Sequence, residues 1–599
     1  MLQEGTFAAD VLFWCGEEVP LGGTDTKLPD GYDYDYCATK AFMALKVVNG
    51  RVVTPGDVSY SLLVLPKTDT MSAACVRKVG ELLDAGAKVC SVSRPMRTPG
   101  LRGWPVGGDM PYPALVNAVW SKGVIEKNVG DAIASLGIAP DFTTETPDAS
   151  WIHRRSNDAD WYFVALDNSV PTKFEASFRQ TGRVPEIWDA ETGCIRDASA
   201  WREENGRTIV SLDYPISGSA FVVFRRKASE SHVTRVNATV SARPDPMLPE
   251  KTHTLVIKKA EYGVFDAAKT PTGKPIAIDV TAKLAALVKD GTIDVAVEND
   301  LAGRDPLFKT VKKMVVTYVF DGKENTATFN EHDAFRLPYN KIVVPPPPDW
   351  EWRCGKILAW QPMSADIAMS DGTTKKVAAL PPSGTVVAGP WNVSFPAGWE
   401  APASTTFDTL VQWNEHDDPG IKYFSGTATY SKSIPVPTPA RASPSATRFA
   451  RGIRSQFPVS RIMLDLGVVK NFAEVTVNGK KFPVLWKPPF RLDITDAVKG
   501  TDAIDLEIKV TNLWPNRLIG DDRLYADDCE WVGNMRRGVK EIGVREIPKW
   551  VKEGKSSPTG RHTFTTWKHW SKEDNLLPSG LIGPVCLRFG TFAKPVESD

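Results

Sequence analysis

The feature that most constrains the fold of this 599-residue chain is a change in hydrophobic period near residue 149. Before that point, short apolar runs alternate with helical patterns. After it, apolar and polar residues alternate at period 2, as in KFEASFR (173–179) and TIVSLDY (208–214). This alternation is typical of strands with one buried face, and strands separated only by turns form antiparallel sheets. The sequence therefore predicts a multidomain, mainly β protein that begins with an α/β domain.

The first domain, residues 1–148, has the pattern of an open parallel sheet. Its apolar runs ADVLFW (9–14), YSLLVL (60–65) and KVCSVS (88–93) indicate buried strands. Residues 38–48 and 71–86 have helical spacing, and Gly86 is a suitable residue to end the second helix. Strands that alternate with helices predict a flavodoxin-like α/β fold. No GxGxxG opens a helix after a strand, so we expect a scaffold and not a cofactor site.

Three further domains are predicted from the same patterns. They are an antiparallel β domain (149–227), a β-rich accessory domain (228–386) with one short helix at 279–288, and a C-terminal β-sandwich (387–599). The β-sandwich is expected to be a jelly roll of galactose-binding-like type, with Asn478-Gly479 as a hairpin turn. The proline tract at 343–350 and the Pro/Ala/Ser/Arg segment at 435–452 are expected to be connectors.

Composition excludes several function classes. Lys and Arg together number 72, as do Asp and Glu, and no dense basic run is present, so a nucleic-acid binder is not expected. No apolar run approaches the ~20 residues of a membrane span. The histidines have no HExxH spacing, and no metal site or cofactor is expected. No basic segment followed by an apolar one opens the chain, so no signal peptide is visible and localisation stays open.

An ordered set of motifs resembles family 106 glycoside hydrolases, the α-L-rhamnosidases. The motifs include LPDGYDYDYC (28–37), HRRSNDADWYFVALDN (153–168), GRVPEIWDAETGCI (182–195), NLWPNRLIGD (512–521) and LLPSGLIGPVCL (576–587). The last part of the chain also resembles the sugar-binding jelly roll of family 2 glycoside hydrolases. The resemblance implies a carbohydrate partner, specifically a rhamnose-containing polysaccharide.

The same resemblance implies a mechanism that this chain is not expected to perform alone. Inverting hydrolysis needs two opposed carboxylates ~6.5–9.5 Å apart. In the family they belong to a (β/α)8 barrel upstream of the stretch that Leu2, Gln3 and Gly5 match. No catalytic residue is therefore assigned, and the expected role is the non-barrel portion of such an enzyme, with a barrel supplied by another chain as one possibility. The alternative is a stand-alone carbohydrate-binding or scaffold protein.

Two sets of residues are candidates for contact with substrate. In the GYDYDYC segment (31–37), Asp33 and Asp35 would lie on one face of an extended chain, ~7 Å apart, with Tyr32 beside them. Carboxylates on one strand point in parallel, and no neighbouring group is expected to desolvate either and raise its pKa. The segment could thus be an interdomain loop, the rim of a barrel active site or, least favoured, a catalytic pair.

The second set consists of Trp486, Trp514, Asn516 and Arg517. A tryptophan can stack on a sugar, and arginine and asparagine can bond its hydroxyls, although packing within the domain would explain the same residues. The sequence also predicts salt bridges at a domain junction for residues 153–155 and a tight turn at 188–193. Acidic clusters at 415–419 and 521–528 could bind calcium, but lack the DxDxDG pattern and are expected to be solvated loops.

Overall fold

The computed structural model describes twelve ranges of the chain. They are 1–17, 27–99, 111–146, 149–168, 170–228, 231–241, 253–338, 346, 348–353, 355–436, 459–536 and 539–596. Half of the proline tract at 343–350 and most of the 435–452 segment lie outside these ranges. None of the described helices is both long and apolar enough to cross a membrane.

The N-terminal unit is built on a parallel sheet, as the sequence predicts. Its strands stand in the order Tyr34–Cys37, Val11–Trp14, Leu62–Val64, Val89–Cys90. The helices of the unit are Thr39–Met43, Ala73–Asp84, Tyr112–Trp120 and Val129–Ser135. Strand Val11–Trp14 is fully buried because both faces of the sheet are covered by apolar residues. A parallel α/β unit is thus confirmed, whereas its assignment to the flavodoxin-like class stays a prediction.

The helix predicted for residues 38–48 is wrong over its second half. The helix ends at Met43, and Lys46–Val48 is a strand that pairs with Arg51–Val53, which pairs in turn with Ser59–Tyr60. Asn49 and Gly50, which join the first two strands, have φ of 50° and 75°. Two successive residues at positive φ form the tight turn that favours a hairpin over a continued helix.

The next unit, called here the first sandwich, consists of two antiparallel sheets around one core. One sheet has the order Thr6–Phe7, Ala149–Arg155, Asp160–Leu166, Ser219–Lys227, Arg183–Trp188, Ile195–Asp197, and the other Trp201–Glu204, Arg207–Tyr214, Thr172–Phe178, Phe142–Thr144. Tyr162, Phe178 and Phe224 are fully buried between them. The antiparallel strands predicted from residue 149 onward are confirmed, and each sheet gains a strand from upstream of that residue, Thr6–Phe7 in one and Phe142–Thr144 in the other. A separate domain with the bounds 149–227 stays a prediction.

Buried charges join the N-terminal unit to the first sandwich. Arg179 of the sandwich lies 2.9 Å from Asp10, which directly precedes the strand Val11–Trp14. His153 is fully buried between Asp141, at 2.6 Å, and Asp160, at 2.9 Å. Burial by itself lowers the pKa of His153, but hydrogen bonds to the two carboxylates outweigh it and raise the pKa above its usual value. Of the salt bridges predicted for residues 153–155, His153 pairs with Asp141 next to the junction, and Arg155 lies 3.4 Å from Asp160 within the first sandwich.

The region predicted as one accessory domain contains two separate cores. The insert, residues 253–338, has a sheet ordered Ile276–Asp279, Leu255–Val264, Lys313–Phe320, Lys323–Asn330, a pair Ile293–Ala296 with Ala334–Leu337, and helices Thr281–Ala286 and Asn299–Ala302. The second helix was not expected from the sequence. The other core belongs to the bridging sheet, ordered Val233–Val240, Met363–Met369, Thr374–Ala379, Lys594–Pro595. The insert therefore interrupts the chain between two adjacent strands of the bridging sheet.

The C-terminal unit is a two-sheet sandwich, called here the C-terminal sandwich. One sheet has the order Trp350–Arg353, Lys356–Ala359, Cys586–Phe592, Arg461–Asp465, Arg491–Asp493, with Thr385–Val386 also on Cys586–Phe592; the other is ordered Ser404–Phe407, Trp391–Ser394, Thr427–Pro435, Ala503–Thr511, Phe472–Val477, Lys480–Lys481. The remaining elements are the pairs Val468–Lys470 with Gly580–Gly583 and Trp531–Arg536 with Val539–Val544, and the helices Pro419–Lys422, Pro515–Leu524 and Lys549–Lys552. Asn478 and Gly479 form the predicted hairpin turn. A β-sandwich is confirmed, and its jelly-roll, galactose-binding-like assignment stays a prediction.

Candidate functional site

The Tyr–Asp segment lies at the edge of the parallel sheet. Asp33 directly precedes the edge strand Tyr34–Cys37, and Asp35 lies within it. Each carboxylate accepts a hydrogen bond from the backbone N–H of the following residue, at 2.8 and 2.7 Å. Asp35 also accepts one from Tyr60 at 3.0 Å, and Tyr32 donates to the carbonyl of Ile138 at 2.7 Å. The three candidate residues are therefore held by contacts within the N-terminal unit.

The expectation that nothing desolvates this pair is wrong for Asp33. The pKa of Asp33 is raised to about 6, mainly by burial and in addition by the charges of Asp141 and Asp35, while the hydrogen bond from the Tyr34 N–H offsets part of the increase. Asp141 belongs to the junction with the first sandwich, far along the chain, so the sequence pattern of the segment could not show its effect. A carboxyl group that titrates near neutral pH can exchange a proton. Asp35 lies on the same extended segment and does not face Asp33 across a substrate, so the two do not form an acid/base pair.

The second candidate set lies around the helix Pro515–Leu524. Arg517 and Asp521 face inward from successive turns, are fully buried and form an ion pair at 2.7 Å. The other oxygen of Asp521 accepts hydrogen bonds from the Thr563 hydroxyl at 2.6 Å and backbone N–H at 2.7 Å. Asn516 exchanges two 2.7 Å hydrogen bonds with the backbone of Leu577. These hydrogen bonds attach two later loops to the helix. The side chains of Asn516 and Arg517 are buried and therefore stabilise this part of the fold.

Trp514, immediately before this helix, is the exposed member of the set, with 57% of its surface accessible. Its ring lies 5.8 Å from that of Trp399, at an angle of 66°. The imidazole of His562 stacks on Trp399, with ring centroids 5.9 Å apart and planes at 28°. Three aromatic rings from positions 399, 514 and 562 thus form one continuous patch on the C-terminal sandwich.

Glu400 brings charge to the edge of this aromatic patch. Its carboxylate accepts a hydrogen bond from the Tyr525 hydroxyl and lies 3.4 Å from both His562 Nε2 and an Arg517 nitrogen. Burial alone raises the pKa of Glu400, but the hydrogen bonds from Tyr525 and His562 and the charge of Arg517 together lower it. Glu400 is thus held as an ionised hydrogen-bond acceptor that remains 40% accessible.

The backbone at Glu400 is strained, which is common at functional positions. Its φ is +64°, in the left-handed region that residues other than glycine rarely adopt. Gly420 leaves room for this backbone, because a Cβ at position 420 would lie only 2.2 Å from the Glu400 carbonyl oxygen. We call Trp399, Glu400, Trp514, Tyr525 and His562 together the Trp514 surface.

A small cavity is lined by the residues on either side of Trp514 in the chain, Leu513 and Pro515. Its volume is about 170 Å³, several times the roughly 30 Å³ that one water occupies in the liquid. Asn471, Asn512, Asn516, Leu513 and Ser579 are among its lining residues. The amides of Asn512 and Asn516 bond backbone groups of neighbouring loops. The cavity is thus partly lined by amide side chains, and it is large enough for a small group such as a sugar substituent.

The structure does not bring Trp486 together with the Trp514 surface. Trp486 is 56% accessible, and the ammonium group of Lys487 lies 5.5 Å from its ring centroid. Lys487 forms an ion pair with Glu191, in the turn of the first sandwich that the sequence predicts at 188–193. In the described ranges, no ring contact or hydrogen bond links Trp486 to the Trp514 surface.

The acidic cluster at 521–528 is partly balanced by cations of the protein itself. Arg561 lies 3.5 Å from Asp522 and 3.8 Å from Asp527, and Lys568 approaches the same two carboxylates at 3.5 and 3.7 Å. Asp527, Asp528 and Cys529 lie near enough to share an ion geometrically. The nearby cations oppose the binding of Ca²⁺, so calcium binding at this cluster has no support beyond its acidic composition.

Chemically, the Trp514 surface can bind a polyol. Flat indole rings suit the C–H face of a pyranose, and an ionised carboxylate with a tyrosine and an imidazole beside it suits ring hydroxyls. Sequence reasoning found Trp514 but missed Trp399, Glu400, Tyr525 and His562. Tyr525 and His562 come from segments 125 and 162 residues after Glu400, and no local pattern connects them.

Comparison with known proteins relates the chain to glycoside hydrolases. Residues 1–202 match the family model described as alpha-L-rhamnosidase, glycoside hydrolase family 106. The N-terminal third is thus similar to that family, and the resemblance stays a prediction for the motifs beyond it. Residues 219–338 match a model described as DnaJ-like protein C11, C-terminal. That match covers the last strand of the first sandwich, part of the bridging sheet and the insert.

Whole-chain comparison extends the similarity beyond residue 202. A putative beta-glucuronidase of Formosa agariphila is 31% identical over 98% of this chain and 55% of its own length. The solved rhamnosidase of Novosphingobium sp. PP1Y matches 98% of this chain and 39% of its own, with 23% identity and a TM-score of 0.57, so the two share a fold. A beta-glucuronidase from an uncultured Clostridium sp. matches only 35% of the chain and 29% of its own length, at 15% identity and a TM-score of 0.19. The chain thus spans about half of the curated relative and less of the solved rhamnosidase.

Proposed function

We propose that this chain is the carbohydrate-contacting accessory portion of an α-L-rhamnosidase-like glycoside hydrolase, and that the Trp514 surface contacts rhamnose-containing glycans. The coarser part of this proposal, a glycoside hydrolase-like protein, follows from the comparisons. The finer part has one main support: an exposed tryptophan beside an ionised, strained Glu400 on a rigid base.

The rigid base matters for affinity. Arg517 and Asp521 have no accessible side-chain surface, and their hydrogen bonds fix the helix that carries Trp514 to the loop that carries His562. A binding surface that is already in place loses little conformational entropy when a ligand arrives. The packing contacts of Arg517 and Asp521 thus contribute to recognition indirectly.

Hydrolysis itself is assigned to residues other than those of the Trp514 surface. Inverting cleavage needs an acid and a base on opposite sides of the glycosidic bond. Glu400 is the one accessible carboxylate of this surface, and the nearby Asp521 is fully buried in its pair with Arg517. Asp33 directly precedes the edge strand that contains Asp35, and two carboxylates two residues apart on one extended segment are not placed across a substrate. In this proposal the catalytic pair is contributed by a barrel outside the described residues.

Binding can be tested by titrating the protein with methyl α-L-rhamnoside and with rhamnogalacturonan oligosaccharides, using isothermal calorimetry. We expect Trp514→Ala to weaken binding about tenfold or more, since the loss of 1.4 kcal/mol corresponds to a factor of ten. Trp486→Ala is a matched control, because Trp486 is as accessible as Trp514 and lies on the same sandwich.

A second measurement concerns turnover. An aryl α-L-rhamnoside incubated with the chain alone is expected to release no aryl alcohol above background. Equal affinity of the wild-type protein and the Trp514→Ala variant would contradict the assignment of the surface. Robust turnover that Asp33→Asn abolishes would contradict the assignment of catalysis to another part of the enzyme.

A further inference from the structure

A second, larger groove lies where three units of the fold meet. Its volume is about 830 Å³, within the range of about 300–1,000 Å³ typical of ligand sites. The first sandwich contributes Trp201 and Lys227, the bridging sheet Lys375 and Lys594, and the C-terminal sandwich Lys356. The groove thus depends on the packing of all three units, and none of its residues belongs to the Trp514 surface.

The charged residues that line this groove are mostly basic. Arg226, Lys227, Lys356, Lys375 and Lys594 carry five positive charges, and Asp197 carries one negative charge. With His232 neutral, five minus one leaves a net charge of +4, on a chain whose total charge is zero. A concentration of one sign in a groove raises the local concentration of ligands of the opposite sign.

The carboxylate in the groove does not neutralise its lysines. Asp197 contacts Arg226, which also pairs with the buried Glu186. Within the described ranges, Lys227 and Lys356 form no ion pair, and both are exposed. Their charges are therefore available to a ligand, whereas that of Arg226 is used to hold the strand Ser219–Lys227 in place.

The walls between these cations are apolar and partly aromatic. Trp352 and Phe592 are half-buried on one side, and Ile367 and Met369 of the bridging sheet also line the groove. On the other side the ring of His232 lies flat on Trp201, with centroids 3.6 Å apart and planes at 1°. Apolar and aromatic walls suit the C–H faces of sugar rings, while the rim cations suit negatively charged substituents.

We infer that this groove binds an anionic oligosaccharide, one whose rings carry carboxylate or sulfate groups. The inference extends the proposed function, because it adds a charged segment of glycan to the rhamnose-containing part. It concerns a separate place on the molecule, so either site can fail without the other. A polynucleotide is less suited, since the sequence has no dense basic run and a total charge of zero.

The test uses the full chain, fluorescence-monitored titration and three probes of similar length: oligogalacturonate, a sulfated oligosaccharide and a neutral maltooligosaccharide. The double variant Lys227→Glu/Lys356→Glu reverses the two unpaired charges. The matched control, Lys313→Glu/Lys323→Glu, makes the same charge change on exposed lysines of the insert. Circular dichroism checks that both variants keep the wild-type fold.

At low salt we expect at least one anionic probe to bind more than tenfold tighter than the neutral probe. The groove variant should lose that preference, the control variant should keep it, and added salt should weaken it because the ligand and lysines are screened. The probe that binds tighter identifies carboxylate or sulfate as the preferred group.

Equal affinity for charged and neutral probes, or equal loss in the two double variants, would overturn the inference. Trp514→Ala should leave binding of the anionic probe unchanged, and the groove variant should leave binding of methyl α-L-rhamnoside unchanged. These two crossed measurements separate a failure of the groove from a failure of the proposed function.

Discussion

The replacement of Asp33 by asparagine should stabilise the N-terminal unit at neutral pH. The folded protein raises the pKa of Asp33 from 3.8 to about 6, so it favours the protonated form relative to the unfolded chain. Stability from this group is fully present below about pH 4 and is lost as the pH rises to about 6. Above that, the ionised carboxylate is a constant destabilising charge. Asparagine has the same shape and no charge, so it removes this cost.

The size of the effect follows from the shift. Each pKa unit corresponds to about 1.4 kcal/mol, so a shift of about two units sets an upper limit of about 3 kcal/mol. Asp33 is only partly buried, and screening by solvent reduces this to about 1–2 kcal/mol. The Tyr34 N–H can still donate to the asparagine side-chain oxygen, so the variant keeps the 2.8 Å hydrogen bond.

Hydrogen-exchange mass spectrometry is the suitable assay, because it reports on the N-terminal unit separately from the other cores of the protein. Peptides that cover the strands Val11–Trp14 and Tyr34–Cys37 report local opening. At pH 7.5 we expect exchange in Asp33→Asn to be roughly 5–30 times slower than in the wild-type protein, after correction for intrinsic rates. Near pH 4 the difference should disappear.

Asp35→Asn is the matched control, since it makes the same change two residues along. Asp35 accepts a hydrogen bond from Tyr60, and its replacement weakens a charge-assisted bond, so no gain in protection is expected. If Asp33→Asn protects the two strands equally at both pH values, or exposes them at pH 7.5, the account of Asp33 as a desolvated carboxyl group is wrong.

Three further predictions concern the C-terminal sandwich. Gly420→Ala should disturb the loop at Glu400, because the added Cβ would lie 2.2 Å from the Glu400 carbonyl oxygen. Calorimetry should then show a loss of methyl α-L-rhamnoside binding, and unchanged binding would refute the prediction. Asp521→Asn should lower the free energy of unfolding by about 3–5 kcal/mol, because it leaves the buried guanidinium of Arg517 without its counter-charge. A urea titration followed by tryptophan fluorescence measures this loss, and a change below about 1 kcal/mol would argue against the prediction. Trp413→Phe should lower the stability of the C-terminal sandwich by about 1–2 kcal/mol, because it removes the buried 2.6 Å hydrogen bond to Tyr430. Calorimetry should then show a lower Tm, and an unchanged Tm would contradict the role of that bond.

The two proposed binding regions would divide the recognition of a glycan between different kinds of contact. The Trp514 surface has aromatic rings and one ionised acceptor, while the groove has four cations beyond the Arg226 pair. Neutral deoxy sugars and charged sugars need these two chemistries respectively. A glycan that contains both would use both regions, which is why the crossed variants are informative.

The sequence by itself determined the elements whose pattern is local. Alternation at period 2 fixes which face of a strand is buried, so the strands Thr172–Phe178 and Arg207–Tyr214 were predictable. Helical spacing and Gly86 likewise located the helix Ala73–Asp84, and Asn478-Gly479 located a hairpin. In each case the signal lies within about fifteen residues, where the backbone and nearest side chains decide the outcome.

Only the tertiary structure decided which distant segments meet. The strand Lys594–Pro595 completes a sheet with Thr374–Ala379, and Glu400 meets Tyr525 and His562 on one surface. The pKa of Asp33 depends on its burial and on Asp141, more than a hundred residues away. Desolvation, charge proximity and shared surfaces depend on distances in the folded molecule, and those distances are set by the packing of whole units.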